Sequence, residues 1–133
     1  MIIPLVLELA ADPTARERGL MDRRALPGAV DGMVFLFPEV TTTPFTNVRT
    51  HLPLDLAFVD STARIIAIVP MRTIEESGGA IERYDPPGPY IAALEMMRGR
   101  LATFGVTPGA SLALCPIRDR PYITAMICWS PGR

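Results

Sequence analysis

Thr50-His51-Leu52-Pro53-Leu54-Asp55-Leu56-Ala57-Phe58-Val59-Asp60 decides how the chain is to be read. Pro53 fixes its own φ and holds Leu52 extended, so the chain enters the next run stretched out. Leu54, Leu56 and Phe58 then alternate with Asp55, Ala57 and Val59, the two-residue period of a strand. The first three are expected to face a core. Asp55 falls on the reverse face beside small apolar residues, where a partly covered carboxylate needs a donor or a cation, arginine being the expected one. Asp60-Ser61-Thr62 supplies turn chemistry, and a second apolar run over 64–69 follows directly, so the two runs read as one β-hairpin.

On the N-terminal side, Ile3, Leu5, Leu7 and Leu9 share one face of a first strand. Asp12 fits a helix N-cap and Pro13 the first helical position, predicting a short helix to about Met21. Gly32-Met33-Val34-Phe35-Leu36-Phe37 reads as a buried strand ended by Pro38, and 45–49 as a β-prone lead into the hairpin. On the C-terminal side, 71–89 reads as an exposed loop, mobile at Gly78-Gly79 and stiff at Pro86, Pro87 and Pro89, with Tyr84 to Pro89 serving as a lid or recognition loop or as an inert connector. Tyr90 to Met96 forms a strand with Glu95 opposed to Leu94. Met97 to Phe104 forms a short helix with Gly105 just past its end. Val106 to Gly109 is a turn, and 112–115 and 123–129 are final strands joined through Arg118-Asp119-Arg120-Pro121. The whole predicts one domain over 1–133. Its class is mainly β (α+β): a compact, barrel-like antiparallel or mixed sheet with one or two short helices.

Composition narrows the function classes. A chain of 133 residues, 49% of them hydrophobic, has enough apolar content for a proper core and is not disordered. A net charge of -1 leaves no basic footprint for nucleic acid. All 13 basic residues are arginine, which removes Schiff-base chemistry and the lysine of a phosphate-binding loop. Cys115 and Cys128 form no C-x-x-C pair and are expected as reduced thiols packed in strands, with no metal site; the methionines, Met96, Met97 and Met126 among them, are expected as core filler. The apolar start, 1–8, reads as a strand rather than a signal peptide, and no run reaches membrane-spanning length, so a soluble, cytoplasmic protein is expected.

Several pieces in order resemble DUF192, an uncharacterised bacterial and archaeal family. They are Arg18-Gly19-Leu20-Met21 with Leu26-Pro27, then Gly32 to Phe37, then Phe45, Thr50 and Leu52 to Asp60. Arg64-Ile65 with Ile68, Tyr90-Ile91 with Leu94-Glu95, and the closing Gly105-Val106 with Pro108-Gly109 complete the set, over roughly residues 3 to 115. The resemblance implies a small, mostly β, barrel-like domain and no established activity. Between Phe45 and Thr50 the family usually carries tryptophan, methionine, lysine and asparagine. Here the stretch is Thr46-Asn47-Val48-Arg49, so a ligand site built there lacks an aromatic wall and has its positive charge moved.

Arg49, His51, Asp55 and Asp60 are the densest polar group. In a functional reading His51 transfers a proton, oriented by Asp55 or Asp60, while Arg49 holds an anionic group. In the plainer reading His51 lies exposed beside a turn and Arg49 pairs with an acid. Arg18, Asp55 and Glu95 sit in three of the family-like pieces and are expected either as a structural ion-pair network or as an anion pocket floored by Arg18. Ser61, Ser111 and Cys115 lack any nucleophile motif. The sequence therefore points to a binding or interaction module without a cofactor. Arg49, His51, Asp55, Arg18 and Glu95 are its candidate ligand-binding residues, and a small polar or anionic ligand or a protein partner is its object. The alternatives are a small hydrolase-like enzyme using His51 as base and a self-associating structural subunit. A monomer or weak homo-oligomer is expected, with no nucleic-acid or membrane partner.

Overall fold

Strands dominate the computed structural model, which describes residues 2–116 and 122–128, with side chains over 4–114. In chain order these are β1 (Ile2–Ala10), α1 (Pro13–Arg18), β2 (Gly32–Thr41), β3 (Phe45–Thr46), β4 (Leu54–Val59) and β5 (Ile65–Met71). Then come β6 (Arg83–Tyr84), β7 (Tyr90–Met97), α2 (Arg100–Thr103), β8 (Ser111–Pro116) and β9 (Tyr122–Cys128). Seven strands form one mixed sheet in the order β5-β4-β7-β2-β1-β9-β8, and β3 pairs with β6 apart from it. Only β1 and β2 run parallel. A parallel pair needs a crossover connection, and residues 11–31, with α1, provide it.

The mainly β fold with two short helices is as expected. The barrel is not closed: the edge strands β5 and β8 meet only at one corner, through the bridge Arg64–Ser111. There Ile65 N donates to the Ala110 carbonyl at 2.9 Å and Leu112 N to that of Ala63 at 2.8 Å. The sheet separates two apolar layers. Leu54, Leu56 and Phe58 join Met33, Phe35 and Ala93 on the face covered by α1 and the β3/β6 pair. Ala57 and Val59 join Leu5, Leu7, Val34, Leu94 and Leu101 on the other, beside α2. The central hairpin therefore has the register its alternation predicts, with both faces buried instead of one. Leu9 shares the parity of Leu5 and Leu7 but is 40% exposed, near the end of β1.

Four further expectations are corrected. The Asp12 carboxylate accepts from Ala15 N at 2.8 Å and Pro13 opens α1, yet the helix stops at Arg18 rather than near Met21. Gly19 takes φ +50 there, ending the helical path. Pro38 does not end β2: the β2–β7 register shifts between Leu36 and Thr41, and this irregular segment turns Pro38, Glu39 and Val40 to solvent. A bulged, exposed segment is where a strand tolerates proline. The 71–89 segment is a pinned structure, containing β6 and the turns closed by Ser77 N on Thr73 O at 3.1 Å and Gly79 N on Ile74 O at 2.8 Å. Asp55 is neutralised mainly by backbone: its Oδ2 accepts from Gly99 N at 2.9 Å, with Arg98 nearby but not in contact as an ion pair. The side chains of Ile3, Cys115, Met126 and Cys128, and the 118–121 link, lie outside the described residues.

Strand packing is tight where Gly32 of β2 faces β7. A Cβ at Gly32 would stand 2.0 Å from the Glu95 carbonyl oxygen, which is backbone and cannot swing away. Gly32→Ala is therefore expected to lower stability by on the order of 3 kcal/mol in urea titrations. Gly28→Ala, where nothing lies within 4 Å, should leave the midpoint nearly unchanged. Equal midpoints for the two variants would refute this account of the strand contact.

Candidate functional site

The face under α1 is not filled. A pocket of about 390 Å³ opens between the end of α1, β2, the connector from Thr43 to Thr50, and Glu95 of β7. Its apolar wall is set by aromatic packing. Phe45 stands edge-on to Phe35 at 5.1 Å between centroids and to Phe58 at 5.9 Å. The connector is held over the sheet by Tyr90, whose hydroxyl donates to the Thr43 carbonyl at 2.6 Å; burial pushes that phenol up to about 12. Gly19 closes another side, since a Cβ there would lie 3.1 Å from Phe35 Cζ and 3.4 Å from Glu95 Oε1. Arg18-Gly19-Leu20-Met21 thus has a local reason: the helix ends on a glycine so that the chain can press against the pocket floor.

Glu95 is that floor. Its neighbours across the sheet are Met33 on β2 and Leu56 on β4, both apolar, and its residue exposure is 5%. Among the described residues no hydrogen bond or ion pair reaches its carboxyl. Burial alone pushes that carboxyl from 4.5 up to about 8, so it is mostly protonated at neutral pH. At the pocket's edge Glu17 and Arg18 are exposed, and neither side chain has a hydrogen bond or ion pair among the described residues. Arg16 is committed elsewhere: its guanidinium donates to the carbonyls of Ala11 at 2.9 Å and Leu36 at 3.0 Å and lies over the Phe37 ring.

Arg49 and His51 belong to a different surface. Arg49 takes φ +50, which breaks the extended path before His51 and removes the shared strand face on which a common site with Asp55 depended. Its Nε donates to Asp22 Oδ1 at 2.9 Å, and Asp22 N donates to the Arg49 carbonyl at 2.8 Å. His51 Nδ1 bonds Glu75, with Arg24 also beside that carboxylate. These bonds hold the Asp22 and Glu75 carboxyls below their usual range, the first through Arg49 and the second through His51. The acid that meets His51 is thus Glu75, not Asp55 or Asp60. Asp60 caps the hairpin turn, accepting from Thr62 N, Thr62 Oγ1 and Arg64 N at 2.9, 2.7 and 3.1 Å. Of the five candidate ligand-binding residues, the structure brings Arg18 and Glu95 to one pocket and Arg49 and His51 to one exposed cluster. Asp55 joins neither.

Two supports went unread in the sequence. Asn47 is fully buried: its amide oxygen accepts from Glu82 N at 2.7 Å and its amide nitrogen donates to Ser77 Oγ at 3.1 Å. No local pattern marks it. Thr73 and Glu76 form a reciprocal box, Glu76 N donating to Thr73 Oγ1 at 3.0 Å and Thr73 N to Glu76 Oε1 at 2.9 Å. Thr73-Ile74-Glu75-Glu76 does carry that signature. Arg98 clamps the same Glu76 and holds its carboxyl down to about 2.

Fold and pocket define a small mixed-sheet domain with a one-sided cavity. The model of the DUF192 family, described as uncharacterized ACR, matches residues 3–114, and the chain belongs to that family. A crystal structure from Sinorhizobium meliloti 1021, described as a candidate transcription regulator, is similar at 36% identity and TM-score 0.67, covering 79% of this chain and 78% of that one. A protein of unknown function from Novosphingobium aromaticivorans DSM 12444 is similar at 27% identity and TM-score 0.67, with 81% of each chain covered. No curated protein matches the chain. Among the described residues no helix is long and apolar enough to cross a membrane.

The Glu95 carboxyl titrates near 4.5 when unfolded and near 8 when folded. Between these values the folded protein keeps a proton that the unfolded chain has lost. Its contribution is intact below about 4.5 and is lost as pH rises toward 8. Glu95→Gln is expected to abolish that slope, gaining on wild type across the window by a few kcal/mol in urea unfolding at stepped pH. An unchanged slope in the variant would place the titration elsewhere.

Proposed function

We propose that this protein is a binding module that takes a small polar ligand into the pocket between α1 and the sheet, without bond chemistry. The observation that carries the reading is the buried, unpartnered Glu95 carboxyl opening into a cavity of about 390 Å³. A buried polar group without a partner costs of order 1–3 kcal/mol, and such a cost is retained where a ligand supplies the missing bond. Arg18 at the mouth offers a free guanidinium for an anionic end of the ligand, while Phe35 and Phe45 give apolar contact.

Catalysis by His51 has less support. His51 is not among the residues that line the pocket, and its ring is engaged by Glu75. The description of the Sinorhizobium protein as a candidate transcription regulator is compatible with a ligand-sensing domain. With a net charge of -1, however, the chain has no electrostatic footprint of its own for DNA.

A thermal-shift screen of small polar metabolites on four proteins tests the reading: wild type, Arg18→Ala, Glu95→Gln and Arg49→Ala. Ligands are expected to raise the Tm of wild type and Arg49→Ala, with the shift reduced in Arg18→Ala and lost in Glu95→Gln. A ligand whose shift disappears only in Arg49→Ala would move the site to the Asp22–Arg49–His51–Glu75 surface.

A further inference from the structure

Resting on the pocket reading above, we infer that the ligand is a small zwitterion, seated with an organic cation against Glu95 beside the packed Phe35–Phe45 pair and with an anionic group outward at Arg18. The reasoning starts from how this chain treats its other covered carboxylates. Asp31 accepts from Val6 N at 3.0 Å and from Arg100 Nε at 2.7 Å. Asp55 has Gly99 N, and Glu8 has Arg23 at 2.7 Å. Glu95 is more deeply buried than these and has no partner among the described residues.

The donors are missing by construction. On the side of α1 the charged residues facing the pocket are Arg16, Glu17 and Arg18; the sheet neighbours Met33 and Leu56 and the connector from Thr43 to Thr50 contribute none. Arg16 is spent on two carbonyls and the Phe37 ring. Thr50 Oγ1 donates to the Val48 carbonyl at 3.1 Å, and Thr43 Oγ1 shares a 2.7 Å bond with Thr41 Oγ1. What the floor lacks is therefore a hydrogen-bond partner, and a donor with positive charge is the partner that satisfies Glu95 in its ionised form. The surrounding walls suit it, because aromatic faces attract an ammonium, amidinium or guanidinium group. Arg18 at the rim repels a ligand that is cationic throughout and favours one with a carboxylate or similar anion at its outer end.

The cation makes binding proton-linked, since an ionised Glu95 binds it and a protonated one does not. Isothermal titration calorimetry with 4-aminobutyrate, butylamine and butyrate, in two buffers of different ionisation enthalpy, reads this directly. At pH 7, 4-aminobutyrate is expected to bind with release of close to one proton, and its affinity to rise about tenfold per pH unit from pH 6 toward pH 8. Arg18→Ala should weaken 4-aminobutyrate several-fold and leave butylamine unchanged or tighter. Glu95→Gln, which removes the titrating group without adding bulk, should abolish proton release and bind both amines at least tenfold more weakly. Butyrate binding more tightly than either amine, or proton uptake on binding, overturns the inference while the pocket reading stands. Silence of both amines at millimolar concentration also overturns it, and the metabolite screen on Glu95→Gln then decides the pocket reading separately.

Discussion

The register that sets β7 between β2 and β4 is the constraint on which the rest depends. It pairs Glu95 with Met33 on one side and with Leu56 on the other. Gly32 then lies flush against the Glu95 carbonyl, so the strand cannot tilt to carry the side chain toward water. A one-residue slip would trade Glu95 for Leu94 on the pocket face and expose every apolar side chain of the central strands to the wrong layer. The carboxyl is buried because two hydrogen-bonded ladders insist on it, and the cost is met by the packing of Leu54, Leu56, Phe58 and their partners.

Arginine does the joining elsewhere. Arg98 binds the Met71 carbonyl at 2.8 Å and both oxygens of Glu76, tying β7 to the segment after β5. Arg72 grips Glu82 through two nitrogens, and Arg100 ties α2 to Asp31. A planar fork can satisfy a carboxylate and a carbonyl together, which a single ammonium does poorly. As isolated surface pairs these would add little stability. Their effect is geometric: each fixes a loop whose backbone also carries a turn. None reaches the floor of the pocket, and the contrast between these satisfied carboxylates and the unsatisfied Glu95 is what marks the cavity out from ordinary packing.

Legibility from the sequence followed the range of the interactions. The hairpin over 54–71, the Asp12 cap with Pro13, and the glycine after the second helix are set by neighbours within a few residues, and all are found where the pattern put them. The crossing order of the strands is long-range, and nothing in the alternation of Leu54 to Val59 says that both faces will be covered. The site split the same way. Arg18 and Glu95 lie far apart in sequence and line one pocket, while Asp55, grouped with them by the family-like pieces, does not join them. Arg49 and His51 stay in one exposed cluster, while Asp55, close to both in sequence, turns to Gly99 N instead. Asn47 was invisible for the opposite reason: an asparagine between β-prone residues looks like a turn former, and only the return of 77–82 to its side chain makes it a buried bridge.

Much of the pocket wall is built from a connection rather than from the sheet, and that has a consequence for how rigid it is. A connector of eight residues, 43–50, would ordinarily sample many conformations and bind weakly because ordering it costs entropy. Here it is tied before any ligand arrives: Tyr90 holds the Thr43 carbonyl, Phe45 is locked between Phe35 and Phe58, and Thr50 N donates to the Asn47 carbonyl at 3.0 Å. Asn47 in turn holds Ser77 and Glu82, and Thr50 accepts from Ile74 N at 2.8 Å. The segment after β5 therefore acts as a brace behind the wall rather than as a lid in front of it. Thr46 and Val48 line the pocket, and the ordering cost of its wall is met in folding, so that a ligand of the proposed kind would not have to meet it.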